Sequence, residues 1–309
     1  MNQNETFTLA HLSDPHLADH HDIHPIDIFN KRLFGYLKWR LQRRSKHHAD
    51  VLSDLIHDLR ANQPDHIVVT GDLTHLGLRA EFLNAKELLK ELGRPSQVTV
   101  IPGNHDAYVG SDWDRNLAHW VDYIASDELD ITDDTIISSR TLFPSLRVRG
   151  PIALIGVSTA KPCSTFLAVG RIGKGQLQRF QKILIDTSQM DLFRVVLIHH
   201  PPISGVVSWR KRLTDASAFR TIIRDHGVDL ILHGHAHRHS QGRMKACDGQ
   251  VPVIGISSAS ATDENSKRQA RYHLYRLLRT ADGWEMHVCV RSYLNKNRRF
   301  DTETEYRLI

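Results

Sequence analysis

Five short apolar runs in this chain each end in a cluster of Asp, Asn or His, and this pattern constrains the fold more than any other feature. The runs cover residues 7–12, 66–70, 97–101, 193–198 and 228–232. Between several of them lie helical stripes that start near Val51, Phe82 and Phe219, with apolar residues at i, i+3 and i+4 spacing. Strands alternating with helices predict βαβ units, so the chain is predicted to be an α/β protein with buried sheets.

The polar clusters follow the strands directly. They are Asp14 with His16, Gly71-Asp72, Gly103-Asn104-His105-Asp106, His199-His200, and Gly234-His235-Ala236-His237. The carboxyl ends of parallel strands line one crevice, so we expect these clusters to converge on one site. The preceding glycines suit tight turns, and an extended chain would point both members of Asp14-x-His16 to the same side.

The residue types in these clusters favour a metal centre. Carboxylates, a carboxamide and imidazoles together suit Mn²⁺, Fe or Zn²⁺ better than Mg²⁺ or Ca²⁺. Each motif alone also fits an ordinary turn, because Asp, Asn and Gly favour turns. The full set offers too many ligands for one tetrahedral ion. Two ions about 3.5–4 Å apart could share a carboxylate, polarise a phosphoryl group and convert a bridging water into hydroxide.

Together the five motifs resemble those of the calcineurin-like metallophosphoesterases, and the resemblance runs from Asp14 to about Tyr293. It implies a four-layer αββα sandwich of two mixed β-sheets and two divalent transition-metal ions. It also implies the ligands of each ion: Asp14, His16, Asp72 and His237 for one, and Asp72, Asn104, His199 and His235 for the other. Asp72 would bridge the ions. His199 is chosen over His200 because the family ligand stands two residues before the motif's proline, here Pro201.

The same resemblance assigns catalytic roles. His105 would donate a proton to the departing oxygen, and Asp106 would orient that imidazole and favour its protonated form. The alternative for Asp106 is a helix-cap or turn role. A non-catalytic scaffold of the same fold is the competing hypothesis for the whole chain. We expect a scaffold to have lost ligands or His105, and none is missing here.

The substrate class is suggested by two stretches, Leu12–Leu17 and Gly71–Thr74. They resemble bacterial class III cyclic-nucleotide phosphodiesterases and glycerophosphodiesterases. His75 departs from that pattern, because those enzymes commonly carry an acidic residue there, and this weighs against a nucleotide. We therefore predict a metal-dependent phosphohydrolase that cleaves a phosphoester, most simply a phosphodiester.

A basic amphipathic insertion is predicted at about 19–48. Residues 31–46 hold seven basic residues, no acidic one, and leucines at every fourth position, Leu33, Leu37 and Leu41. Such a helix could contact an anionic membrane or nucleic acid, or pack its leucines on the domain. Membrane contact would suit a lipid-linked substrate, as for family members that cleave the pyrophosphate of UDP-diacylglucosamine. Nucleic acid is the weaker alternative, because no binding module is visible.

The remaining features concern domains and location. We expect one domain over 1–309, with antiparallel strands at about 270–309 around an Asp282-Gly283 hairpin turn. The net charge of +5 favours anionic partners. Three isolated cysteines indicate neither disulfides nor a thiolate zinc site. Without a signal peptide or a membrane-spanning apolar run, a cytoplasmic protein is expected, with the inner membrane face as a peripheral site.

Overall fold

The computed structural model describes residues 6–17, 49–108, 113–128, 138–164, 166–262 and 268–309. The insertion predicted at 19–48, including the basic stretch 31–46, lies outside the described residues. Its predicted contacts with membrane or nucleic acid therefore stay predictions. In the part of the chain that is described, no helix has both the length and the apolar character needed to cross a membrane.

The first of two six-stranded sheets joins the beginning and the end of the chain. Its strands, in spatial order, are β12 (Arg299–Arg307), β11 (Gly283–Leu294), β10 (Arg271–Thr280), β1 (Thr6–Leu12), β2 (His66–Val69) and β3 (Val98–Val100). Strands β1, β2 and β3 are parallel, whereas β10, β11 and β12 run antiparallel. The Asp-Gly hairpin lies between β10 and β11, with Thr280 paired to Gly283.

The second sheet has a parallel centre and antiparallel edges. Its spatial order is β4 (Ser145–Arg149), β5 (Ile152–Val157), β6 (Phe193–Ile198), β7 (Leu230–His233), β9 (Gly249–Gly255) and β8 (Ser240–Ala246). Strands β5, β6, β7 and β9 are parallel, and β4 and β8 pair antiparallel at the edges. Both sheets are therefore mixed.

Helices cover the outer faces of both sheets. The α-helices are α1 (Ala49–Asn62), α2 (Arg79–Leu92), α3 (Trp113–Leu117), α4 (Val121–Ile124), α5 (Ser139–Leu142), α6 (Lys174–Thr187) and α7 (Ala216–His226). Successive side chains of β6 point alternately into the space between the two sheets and toward the helices that cover the second sheet. Val195 and Leu197 belong to the cluster that includes residues of both sheets, whereas Val196 and Ile198 join the apolar faces of α6 and α7. This arrangement confirms the predicted αββα sandwich.

The ends of the strands that carry the polar clusters meet between the sheets. Asp14 N–H donates to the Gly71 carbonyl at 2.9 Å, which joins the loops after β1 and β2. Gly234 N–H donates to the His199 carbonyl at 3.2 Å, which joins the loops after β7 and β6. His199 Nδ1 donates to the Thr70 carbonyl at 2.7 Å and so connects the two sheets. The fold therefore brings clusters from distant parts of the sequence to one place.

Candidate metal centre

Most of the predicted ligands have a backbone conformation that side-chain-bearing residues seldom adopt. Among the described residues, seven non-glycine positions have positive φ, and five of them are predicted ligands: Asp14, His16, Asp72, His235 and His237, with φ between 48° and 65°. Such conformations cost free energy and concentrate at functional sites. The expectation that Asp14 and His16 leave β1 in an extended chain is wrong, because left-handed turns aim both side chains instead.

Asp72 lies at the centre of the site. Its carboxylate belongs to two groups of side chains whose ligand atoms lie within 4.8 Å of one another: Asp14, His16, Asp72 and His237, and Asp72, His199 and His235. These groups match the two ligand sets that the family resemblance implies, apart from Asn104. A single carboxylate shared by both groups is the arrangement that a bridging ligand requires.

The first group is compact, and all of its members are buried except His237, which is half-buried. His237 Nε2 lies 3.1 Å from Asp14 Oδ1, and His16 Nε2 lies 3.0 Å from His237 Nε2. His16 Nε2 is also 3.8 Å from Asp14 Oδ1 and 4.0 Å from Asp72 Oδ2. Two imidazole nitrogens and two carboxylate oxygens therefore converge on one small volume.

Asn104 lies beside the second group. His199 Nε2 is 3.3 Å from Asp72 Oδ2 and 3.2 Å from Asn104 Oδ1. The ring of His235 lies 5.0 Å from that of His199. The ring of His200 lies 4.2 Å from that of His235, but both of its nitrogens are engaged by other groups. Nδ1 is hydrogen-bonded to Thr159 Oγ1 at 2.7 Å, and Nε2 donates to the Ala168 carbonyl at 3.1 Å. Of the two adjacent histidines, His199 is the one beside Asp72.

Main-chain carbonyls orient three of the imidazoles. His16 Nδ1 donates to the Thr74 carbonyl at 3.3 Å, just as His199 Nδ1 donates to Thr70. His235 Nε2 donates to the Lys211 carbonyl at 3.0 Å. Each bond fixes a ring tautomer and leaves the other nitrogen as the metal-binding atom. His16 and His199 would bind through Nε2, and His235 through Nδ1.

Backbone N–H groups donate to one oxygen of each of the carboxylates of Asp72 and Asp14. His105 N–H donates to Asp72 Oδ1 at 2.7 Å, and His235 N–H donates to Asp14 Oδ2 at 3.0 Å. The remaining atoms, Asp72 Oδ2 and Asp14 Oδ1, face the imidazoles. Asp14 Oδ1 is buried and accepts no hydrogen bond, although His237 Nε2 lies 3.1 Å away, and this is a costly state for a carboxylate oxygen. These residues therefore fit divalent cations in donor type and spacing.

Glycines allow the ligand loops to approach one another. A Cβ added at Gly103 would overlap Asp72 Oδ1, and one at Gly234 would overlap Ser13 Oγ. Gly71 also has φ +95°, a conformation that favours glycine. At these positions a side chain would collide with the neighbouring ligand loop, so glycine is required for the close approach.

The electrostatic balance of the site favours ionised carboxylates and one neutral imidazole. Burial opposes ionisation of Asp72, but the charges of His199 and His105 hold its pKa well below the usual range. Burial lowers the pKa of His199, yet the Asp72 carboxylate more than offsets this and raises it to about 9. Burial, followed by the charge of His200, keeps the pKa of His235 well below its usual range. A neutral imidazole beside buried carboxylates is the form that binds a metal.

The role expected for Asp106 needs correction. His105 Nδ1 donates to the His75 carbonyl at 2.6 Å, so main chain orients this imidazole. Asp106 instead accepts hydrogen bonds from Thr74 N–H and Oγ1 and from Gly103 N–H, at 2.8–2.9 Å. Burial, reinforced by the Asp72 charge, raises the pKa of Asp106 to about 7. Its observed position matches the turn role that was the alternative.

Two residues near His105 were not assigned roles from the sequence. The ring of His75 stacks on that of His105, with centroids 5.4 Å apart and an interplanar angle of 19°. Glu81, fully buried on α2, accepts the N–H groups of His75, Leu76 and Leu78 through Oε2 at 2.8–3.2 Å. Glu81 thus holds the loop whose carbonyl orients His105. A glutamate in the first turn of a predicted helix was the available signal.

A model of the calcineurin-like phosphoesterase family matches residues 7–239, a range that contains every predicted ligand. The glycerophosphodiester phosphodiesterase GpdQ of Enterobacter lignolyticus (strain SCF1) is 35% identical over 98 residues, which are 32% of this chain and 29% of that protein. The matched part therefore spans less than a third of that relative. A probable cyclic nucleotide phosphodiesterase of Vesicomyosocius okutanii is 23% identical over 211 residues, 66% of this chain and 74% of the relative.

Solved structures show the same fold. A dimetal phosphatase from Danio rerio has a TM-score of 0.59 at 18% identity, and the alignment covers 96% of this chain and 98% of that one. Purple acid phosphatase PPD1 from yellow lupin has a TM-score of 0.59 at 11% identity, with 97% and 53% coverage. At these identities the similarity concerns the fold alone.

Proposed function

The chain belongs to the calcineurin-like phosphoesterase family, a family of metal-dependent hydrolases, and we propose that it hydrolyses phosphodiesters at a dinuclear metal centre. The observation that carries the proposal is the position of Asp72, whose carboxylate is shared by two groups of ligand atoms. A site for one ion needs no shared carboxylate and no second group. Retention of every motif residue also argues against the scaffold alternative.

We assign one ion to Asp14, His16, Asp72 and His237. The second ion would be held by Asp72, Asn104, His199 and His235. This mixture of nitrogen and oxygen donors suits Mn, Fe or Zn. When bound, such ions polarise a phosphoryl group and lower the pKa of coordinated water.

The chain's own contribution to catalysis centres on His105. Its Nδ1 proton is engaged by the His75 carbonyl, so proton delivery to the departing oxygen would run through Nε2. Its ring lies 4.9 Å from that of His16, beside the first metal group. His105 N–H simultaneously holds Asp72 Oδ1. One residue therefore couples the position of the proton donor to that of the bridging carboxylate.

A diester is favoured over a monoester by the names of the two relatives. One is a glycerophosphodiester phosphodiesterase and the other a probable cyclic nucleotide phosphodiesterase, and both names describe diester hydrolysis. We extend this to a small-molecule phosphodiester for the present chain. A lipid-linked pyrophosphate substrate and peripheral membrane contact are alternatives that depend on the insertion at 19–48.

The experiment compares hydrolysis of bis(p-nitrophenyl) phosphate and p-nitrophenyl phosphate by protein saturated with Mn²⁺. The proposal predicts activity that disappears with a chelator, returns with metal, and is higher on the diester. The Asp72→Asn variant should lose activity. A protein that takes up no metal on titration would support the scaffold, and higher activity on the monoester would refute the diester assignment.

A further inference from the structure

Residues 206–211, which carry exposed aromatic and basic side chains, are hydrogen-bonded to the segment 235–238 that holds the predicted ligands His235 and His237. Val206 accepts a hydrogen bond from Arg238 Nη2 at 2.7 Å through its carbonyl, and Arg238 directly follows the ligand His237. Five residues later, the Lys211 carbonyl accepts the bond from His235. Residues 206–211 are thus tied at both ends to the 235–238 segment.

Between these anchors, a single 3-10 turn, Trp209–Lys211, presents its side chains outward. Trp209 is 63% exposed, and the Arg210 guanidinium lies 5.3 Å from the centroid of its ring. Trp209 and Lys211 are two positions apart in the chain, so their Cα atoms are at most about 7 Å apart. An exposed indole and two cations therefore lie at the rim of the metal centre.

A second loop runs beside this turn. Ala168 N–H donates to the Arg210 carbonyl at 2.9 Å, while the Ala168 carbonyl receives His200 Nε2. This loop carries Phe166, which is 78% exposed. Among the described residues, the other exposed large apolar side chains are aliphatic: Leu83, Val148, Ile185, Met190 and Leu294. Trp209 and Phe166 are therefore the aromatic members of this exposed set, and they lie on two neighbouring loops. One loop contacts the predicted ligand His235 and the other contacts His200.

We propose that Trp209 and Arg210 bind the nucleobase of a nucleotide phosphodiester whose phosphate lies at the metal centre. Every nucleobase has a π-face that stacks on an aromatic side chain, and an arginine over the ring adds a cation–π contribution. Lys211 and Arg210 also favour an anionic substrate. A glycerol or other small alcohol substituent offers no such face. This inference rests on the proposed phosphodiesterase function and specifies its substrate class. It replaces the expectation drawn from His75, which weighed against a nucleotide.

The test uses two diesters with the same leaving group, thymidine 5′-(p-nitrophenyl phosphate) and methyl p-nitrophenyl phosphate, with protein saturated with Mn²⁺. Wild type should prefer the thymidine ester. In Trp209→Ala, KM for the thymidine ester should rise by roughly 5- to 100-fold, the range expected for loss of one stacked base, while KM for the methyl ester stays within about twofold. Trp209→Phe should keep most of the preference.

Trp284→Phe is the matched control, because Arg279 lies 4.6 Å over the Trp284 ring on β11. This variant should leave both KM values unchanged. Tryptophan fluorescence gives a readout independent of turnover. Thymidine 5′-monophosphate, excited at a wavelength where the base does not absorb, should quench the wild type and the Trp284→Phe variant but not Trp209→Ala, and ribose 5-phosphate should quench none.

Each other result refutes the inference in a distinct way. Hydrolysis of both esters without preference, or equal losses on both in Trp209→Ala, would overturn the base site and leave the phosphodiesterase function standing. Hydrolysis of neither ester would overturn that function and the inference with it. If Trp209→Ala instead abolished co-sedimentation with phosphatidylglycerol vesicles and left the ester preference intact, the aromatic rim would be a lipid contact.

Discussion

Replacing His105 with alanine separates proton donation from metal binding. The main-chain N–H that donates to Asp72 Oδ1 at 2.7 Å remains in His105→Ala, so the bridging carboxylate keeps its position. What disappears is the half-buried imidazole held by the 2.6 Å bond to the His75 carbonyl. A positioned general acid contributes about 10²- to 10⁴-fold, or about 3–5 kcal/mol of barrier. That loss applies to a leaving group that needs a proton.

The assay compares two leaving groups on matched phosphodiesters, p-nitrophenolate and glycerol. A p-nitrophenolate departs without protonation, so we expect a loss below about tenfold on its ester and about 10²- to 10⁴-fold on the glycerol ester. His287→Ala, at an exposed histidine on β11, serves as the control and should change neither rate. The Mn²⁺ content of His105→Ala should equal that of the wild type.

Equal losses on both esters would refute the reasoning, because a proton donor acts according to the basicity of its leaving group. A fall in Mn²⁺ content would also refute it. In that case the imidazole, and not only the main chain, would be needed to hold the site.

Three further predictions follow from the groups around the site. Asp106→Asn should weaken metal binding by about 10- to 100-fold in a Mn²⁺ titration, because the amide cannot accept all three hydrogen bonds, and should leave the ratio of rates on the two esters unchanged. Burial raises the pKa of Glu81 from 4.5 to about 8. The folded state therefore keeps a proton that the unfolded chain releases as pH rises. The free energy of unfolding of the wild type, measured with denaturant and compared with that of Glu81→Gln, should therefore fall by on the order of 4 kcal/mol between about pH 5 and pH 8. A difference between the two proteins that stays constant with pH would contradict this pKa. Chelation should lower the melting temperature, and added Mn²⁺ should restore it as a function of its free concentration; a melting temperature insensitive to metal would contradict metal binding to the folded state.

The central strands could be predicted from sequence because they are buried and continuously apolar. The edge strand β8 was missed for the opposite reason, because its sequence, SQGRMKA, is polar, as suits a sheet edge. The other polar edge strand, β12 (RFDTETEYR), lies within the antiparallel region predicted at about 270–309. The Asp248-Gly249 pair between β8 and β9 was an available hairpin signal of the same kind as Asp282-Gly283.

The convergence of the candidate ligands was predictable because strand ends in an α/β fold meet at one edge. The directions of the ligand side chains were not predictable, because the left-handed turns at Asp14 and His16 depend on the surrounding loops. The orienting groups were also hidden. The carbonyls of Thr70, His75 and Lys211 bear no relation to side-chain type, so no motif marks them. Asp106 was misassigned because adjacency to His105 in sequence does not imply a hydrogen bond between them.

Anomalous diffraction from a crystal soaked with Mn²⁺ tests the dinuclear assignment most directly. The structure predicts two peaks about 3.5–4 Å apart, one on each side of the Asp72 carboxylate, with Asp14 and His237 on the first and Asn104 and His199 on the second. A single peak, or two peaks that do not share Asp72, would contradict it.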